Sequence, residues 1–140
     1  MHNFRLNELL AADTHLVIDT EDYYLGLNKN ALVPWLILVP KTQVIELFAC
    51  DPVFKQRIRQ TVDNLAAFLQ DYFHADKMNI ATLGNVVEQL HIHIIARRYD
   101  DFAYPDPIWG KPGFKAYEEK AKQAIIQSLK DYLANCQSGR

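Results

Sequence analysis

The sequence predicts an α+β domain, an antiparallel sheet with helices on one face. Three observations carry this: β-rich runs joined by short polar connections, long amphipathic helical stretches after them, and no regular alternation of strand and helix. At 140 residues the chain fits one core, and no repeat, low-complexity tract or linker divides it, so a single domain over residues 1–140 is expected.

Phe4, Leu6, Leu9 and Leu10 have helix-compatible spacing ahead of the turn signal Asp13-Thr14, which predicts a short opening helix. Three β-rich runs follow, Leu16 to Asp19, Tyr23 to Leu27 and Val33 to Val39, and the short polar links between them favour a meander. Pro40 ends the third run, and a short helix from Thr42 or Gln43 through Phe48 is expected next. Asp51 is a good N-cap and Pro52 suits a first turn; apolar Phe54, Ile58, Val62, Leu65, Phe68, Leu69 and Tyr72 then recur at three and four, predicting a long helix packed on the sheet. Met78 to Leu83 and a motif strand over 89–97 read as the last two strands, with Gly84-Asn85 turning between them. Prolines, glycines and aromatic residues over 99–113 predict a long ordered loop, and Phe114 to Leu133 an amphipathic helix, so that loop and helix fill 99–135.

Composition narrows the function classes. A net charge of −2 argues against a dedicated binder of long nucleic acid, whose affinity comes from many Lys and Arg contacts to phosphates. The apolar runs are far shorter than the ~20 residues that cross a bilayer. The opening Met1 to Glu8 lacks a secretory core and carries an acid, so a cytoplasmic protein is expected, with His2 unordered. Cys50 and Cys136 have neither metal nor redox spacing and read as reduced thiols.

The chemistry concentrates in Gln89-Leu90-His91-Ile92-His93-Ile94-Ile95. Along a strand alternate side chains share a face, so Gln89, His91 and His93 point one way and Leu90, Ile92 and Ile94 the other. Residues two apart rise about 6.6 to 7 Å, which lets both imidazoles address one ligand, metal or phosphate. Imidazole alone titrates near neutrality and can serve as nucleophile or donor after small shifts. A His-x-His pair by itself is equally compatible with a solvated sheet face, and a metal site is a further alternative.

The flanking residues go further. Asn79, then Gly84-Asn85-Val86-Val87-Glu88-Gln89-Leu90-His91-Ile92-His93-Ile94-Ile95-Ala96-Arg97, resembles without a gap the histidine-triad (HIT) signature, in which three histidines alternate with apolar residues after an Asn and a Gly-Gln turn. Val33-Pro34-Trp35-Leu36-Ile37-Leu38-Val39-Pro40-Lys41 is similar to that family's third strand, which ends in Val-Pro-Lys or Ile-Pro-Lys. The resemblance covers nearly the whole chain except its C-terminal extension. It implies a HIT-like fold, a five-stranded antiparallel sheet with a long helix packed on it and a C-terminal helix. It implies a nucleotide hydrolase or nucleotidyl transferase in which His91 attacks the α-phosphorus and forms a nucleotidyl-histidine, while His93 holds and polarises the site. By the same resemblance Asn79 and Asn85 lie near the phosphates and Asn28 contacts the ribose. A two-fold homodimer is implied, no metal or cofactor is required, and a Mg ion is an option with a polyphosphate substrate.

The departures are as specific. Gln89 replaces the first histidine: it hydrogen-bonds but cannot titrate. Trp35 stands where the family often has an upstream histidine, Gln43 replaces another, and Val86 stands where some members have Ser. These leave open a nucleotide-binding regulatory protein without turnover, and a metal-dependent hydrolase using His91 and His93 as ligands is a second alternative. His15, His74 and Asp76 are weak candidates for completing such a metal site. Trp109 is expected to anchor its loop as a buried residue more than to cover a pocket.

Overall fold

The computed structural model describes residues 3–138; His2 lies outside them. Helix α1 (Glu8–Asp13) leads into strands β1 (Thr14–Asp19), β2 (Tyr23–Asn28) and β3 (Trp35–Pro40). A 3-10 turn (Leu47–Ala49), the long helix α2 (Pro52–Phe73), strands β4 (Lys77–Ala81) and β5 (Ile92–Arg97), and helix α3 (Glu119–Ser138) complete the chain. The five strands form one sheet in the order β1-β2-β3-β5-β4, every neighbouring pair antiparallel. This is the expected α+β architecture, except that the helices are not all on one face: α1 packs on the side opposite α2 and α3.

One face of the sheet is the main core. Leu25, Leu27, Leu36, Leu38, Ile92 and Ile94 meet Ile58, Val62, Leu65 and Leu69 of α2 and Ile125, Leu129 and Leu133 of α3. Burial of each such side chain contributes about 1.5–3 kcal/mol before entropy is counted. Helix α2 starts as its sequence dictates: the Asp51 carboxylate accepts from the N–H groups of Val53 and Phe54 at 3.1 and 3.2 Å, and Pro52 occupies the first turn. It ends where His74 adopts the left-handed conformation, φ 54°.

The opposite face is shared between the site and two smaller clusters. Leu10 of α1 packs on Tyr24, Ile37 and Val39, with Phe4, Leu6, Trp35 and Val87 around them. Val33, Ile95, Ala103 and Ile108 form the other, pinning the loop after β5 to the sheet. Gly26 makes the α1–β1 junction possible, because a Cβ there would lie 2.6 Å from Thr14 Cβ. Thr14 is held in place by donating to Leu10 O and bonding the Tyr24 hydroxyl, each at 2.8 Å. The first turns of the chain are thereby set over the site face.

Several boundaries differ from expectation: in place of a helix from Thr42 or Gln43 through Phe48 there is only the 3-10 turn Leu47–Ala49, β3 starts at Trp35 and not Val33, and β4 ends at Ala81 and not Leu83. The motif strand begins at Ile92, not residue 89. The chain leaves the sheet after Ala81, so residues before Ile92 have no β4 partner, and the His91 ring takes the carbonyl of Gln89. For the same reason residues 82–91 form a ten-residue connection, not a tight Gly84-Asn85 turn, although Gly84 does take the positive φ of 69° that a turn residue supplies. Helix α3 begins at Glu119, not Phe114. Asn30 and Ala31 draw off the backbone of the preceding segment: Ala31 N donates to Lys115 O at 2.6 Å, Asn30 Nδ2 to Gly113 O at 3.2 Å, and Lys115 N to Asn30 Oδ1 at 3.2 Å.

Candidate active site

On β5, His93, Ile95 and Arg97 face away from the main core, and the chain just before the strand brings His91 beside His93, ring centroids 4.9 Å apart. Both imidazoles are buried, 6% exposed each, at the wall of a cavity of about 390 Å³. That size falls within the range of small-molecule sites, ~300–1,000 Å³. Leu9, Leu10, Ile37 and Val87 give the cavity apolar surface; Asp13, Asn28 and Asn85 bring polar groups; Trp35 and Trp109 close it. A second hollow of about 360 Å³ adjoins it, sharing Asp13, Asn28, Trp35 and Trp109 and adding Lys29 and Lys111.

The hydrogen bonds of the two rings fix their protons. His91 Nδ1 is 2.7 Å from the Gln89 carbonyl oxygen, which only accepts, so Nδ1 carries a hydrogen and, in the neutral ring, the lone pair is on Nε2. His93 is arranged in the opposite sense: the Trp35 indole N–H donates to its Nδ1 at 3.0 Å, leaving the hydrogen on Nε2. Burial first, and the neighbouring His91 second, push the pKa of His93 down to about 4, so it is neutral at pH 7. The pair presents one bare nitrogen and one N–H donor.

Asn28 and Asn85 join the two imidazoles in lining the cavity; Gln89 and Asn79 do not. The Gln89 side chain turns to the N-terminal segment, accepting from Asn7 N at 2.8 Å and donating to Arg5 O at 2.9 Å, and it serves His91 through its main-chain carbonyl instead. Asn79 accepts from Arg97 Nη1 at 2.9 Å. Arg97, 1% exposed, also forms a two-pronged pair with Asp101 at 2.8 and 3.0 Å. Burial raises the Asp101 carboxyl, but bonds from Arg97 and from the N–H groups of Ala103, Arg98 and Tyr104 outweigh it and hold that carboxyl well below the usual range. This network shapes the loop carrying Trp109.

Trp109 corrects an expectation. It is half-buried and forms a wall of the cavity, 5.1 Å from His93 and 6.1 Å from Trp35 between ring centroids, while the buried anchors of its loop are Ala103 and Ile108. Trp35, legible in sequence only as a missing histidine, is a direct partner of His93. The elements carrying these residues are far apart in sequence, so no local pattern announces the contacts. His74 caps α2, and Asp76 accepts from Tyr99 N at 2.9 Å. Among the described residues no three His, Cys, Asp or Glu side chains group as metal ligands, and no helix is long and apolar enough to cross a membrane.

Comparison with known proteins gives the same assignment by an independent route. The family model described as HIT domain matches residues 10–100. The chain is similar to the crystal structure of a histidine triad protein from Marinobacter aquaeolei VT8, at 35% identity and TM-score 0.88 over 94% of this chain and 97% of that one. A histidine triad protein from Bradyrhizobium japonicum matches at 35% identity and TM-score 0.87, covering 92% and 97% of the two chains. One from Sinorhizobium meliloti 1021 matches at 32% identity and TM-score 0.87, covering 92% and 96%. On the family match, these structural relatives and the paired imidazoles of the site, the chain belongs to the HIT domain family.

Proposed function

We propose that this protein is a nucleotidyl-transferring hydrolase in which His91 Nε2 attacks the α-phosphorus of a nucleotide carrying a phosphoanhydride or phosphoramidate bond. The observation that carries the reading is the Nδ1–H bond of His91 to the Gln89 carbonyl, which in the neutral form of this buried, cavity-lining ring places the lone pair on Nε2. Nε2 supplies the electron pair of the new N–P bond while the bond to the leaving group breaks. Water then attacks the nucleotidyl-histidine and frees the ring. A neutral imidazole suits this step, since an anionic nucleophile is repelled by phosphate oxygens.

In this reading Nε2–H of His93 and the amide of Asn85 hold phosphorus-bound oxygens, Asn28 meets the ribose, and Gln89 orients the nucleophile through its carbonyl. Asn79 acts on the site only through Arg97. The apolar cavity surface accepts a base, and Lys29 and Lys111, the latter paired with Asp106, line the adjoining hollow, where further phosphates would sit. No cofactor enters the step, and a Mg ion accompanies only a polyphosphate substrate. A two-fold homodimer in the cytoplasm is the accompanying expectation.

Intact-mass spectrometry tests the mechanism after mixing the protein with adenosine 5′-phosphoramidate or with diadenosine polyphosphates. A transient adenylyl adduct is expected on the wild type and none on His91→Ala, whose turnover falls at least about 10³-fold. Nucleotide binding without an adduct or turnover would assign the protein to the regulatory class instead. Turnover that survives His91→Ala would end the covalent reading.

A further inference from the structure

Tryptophan is an N–H donor and never an acceptor, and its indole proton is not released at any ordinary pH. With Trp35 Nε1 at 3.0 Å from His93 Nδ1, that imidazole nitrogen has a donor permanently aimed at it. A histidine or a carboxylate in the same place could accept or exchange a proton, and His93 would then alternate between two tautomers or between neutral and charged forms. Here a proton on Nδ1 would meet another N–H head on. The surroundings reinforce this: the rings of Trp35, Trp109 and His91 stand 5.7, 5.1 and 4.9 Å from that of His93, and although Asp13 lines the same cavity, no ion pair to His93 is formed among the described residues.

We propose that Trp35 is a positioning residue that locks His93 as a fixed Nε2–H donor, so that His93 orients a phosphorus-bound oxygen and supplies no proton to the leaving group. This rests on the nucleotidyl-transfer reading above and narrows its substrate class. As the His91 N–P bond forms, the bond to the leaving group breaks with its electron pair passing to the departing atom, and no proton from His93 follows it. The site therefore takes leaving groups that depart as stable anions, phosphates and acidic phenols, in preference to amines, which must be protonated to leave.

The lock is tested without any substrate by long-range ¹H–¹⁵N spectra of the full chain carrying ¹⁵N-histidine. The wild type should show His93 with unprotonated Nδ1 and protonated Nε2 as a single form from pH 5 to 8. Trp35→Phe should show both tautomers and a His93 titration midpoint raised by about one pH unit or more. Replacing Trp35 with 3-benzothienylalanine, which keeps the indole shape without the N–H, should do the same and guards against misfolding of the Phe variant. Trp35→His, which can accept as well as donate, should likewise show both tautomers. A wild-type ring protonated on Nδ1, or variant spectra identical to wild type, would overturn the proposal.

Kinetics on aryl esters of adenosine 5′-monophosphate form the second arm. Wild-type kcat/KM, which reports the step that expels the phenol, should fall steeply as the pKa of the phenol rises. Loss of the indole N–H should lower kcat about ten- to a hundredfold with KM changing less. A flat dependence of kcat/KM on phenol pKa, with adduct formation slow in single turnover, would show that a proton is being delivered and would refute the narrowing. Should no ester be turned over while the spectra show the locked tautomer, the enzymatic reading fails and takes the substrate inference with it; the fixed His93 tautomer stands.

Discussion

His93 shows how far an imidazole can be taken from its solution behaviour by what surrounds it. Its pKa of about 4 in the fold, against 6.5 as the ordinary value, means that between these values an unfolded chain binds a proton that the folded one refuses. Its contribution is therefore fully present above pH 6.5 and is lost as the pH falls through about 4. The shift corresponds to at most about 3 kcal/mol. Urea denaturation at pH 7.0 and 4.5 should show wild type losing stability relative to His93→Gln, the variant lacking this titration. An equal acid loss in both would remove His93 as the cause. At this scale the sequence exposed the two imidazoles but not their proton assignments. The alternation of residues in the motif already put both histidines on one side, where they line one cavity, whereas the donor to His93 lies 58 positions away and the partner of the Gln89 side chain 82 positions away. Contacts of that separation leave no periodic trace.

Elements were legible in proportion to how locally they are determined. Helix α2 begins where Asp51 and Pro52 indicate, because a cap and a first turn are made by neighbours in sequence. The starts of β5 and α3 were misjudged because each is fixed by partners from elsewhere: the departure of β4 from the sheet after Ala81 in one case, Asn30 and Ala31 in the other. The loop after β5 is organised by an ion pair whose members are 1% and 7% exposed. Asp101→Ala leaves the Arg97 guanidinium buried without its counter-charge, which costs about 3–5 kcal/mol. The expected outcome is a lowered denaturation midpoint together with altered tryptophan emission, because Trp109 rides on that loop. An unchanged midpoint would mean that water readily replaces the carboxylate.

At the level of the whole molecule, the α+β class followed from the order of patterns, strands first and a long amphipathic helix after them. The strand order did not follow, since β5 enters between β3 and β4 by closing on two non-adjacent segments. Its burial on both faces reflects this: Ile92 and Ile94 belong to the helix-backed core, while Ile95 seats the loop on the other side. One sheet thus separates a face that secures the fold from a face that carries the candidate site. Gln89 joins the latter to the beginning of the chain, its amide gripping Arg5 and Asn7 while its carbonyl holds His91. The leading segment is thereby tied to the residue that holds the His91 ring. Enzymatic trimming back to Glu8 should leave the main core intact by circular dichroism yet release the loop ahead of His91, seen as faster amide deuteration over 84–90 and reduced nucleotide affinity. A trimmed chain with native exchange there would show that this tether is dispensable. Affinity tags for purification are accordingly better carried at the far end.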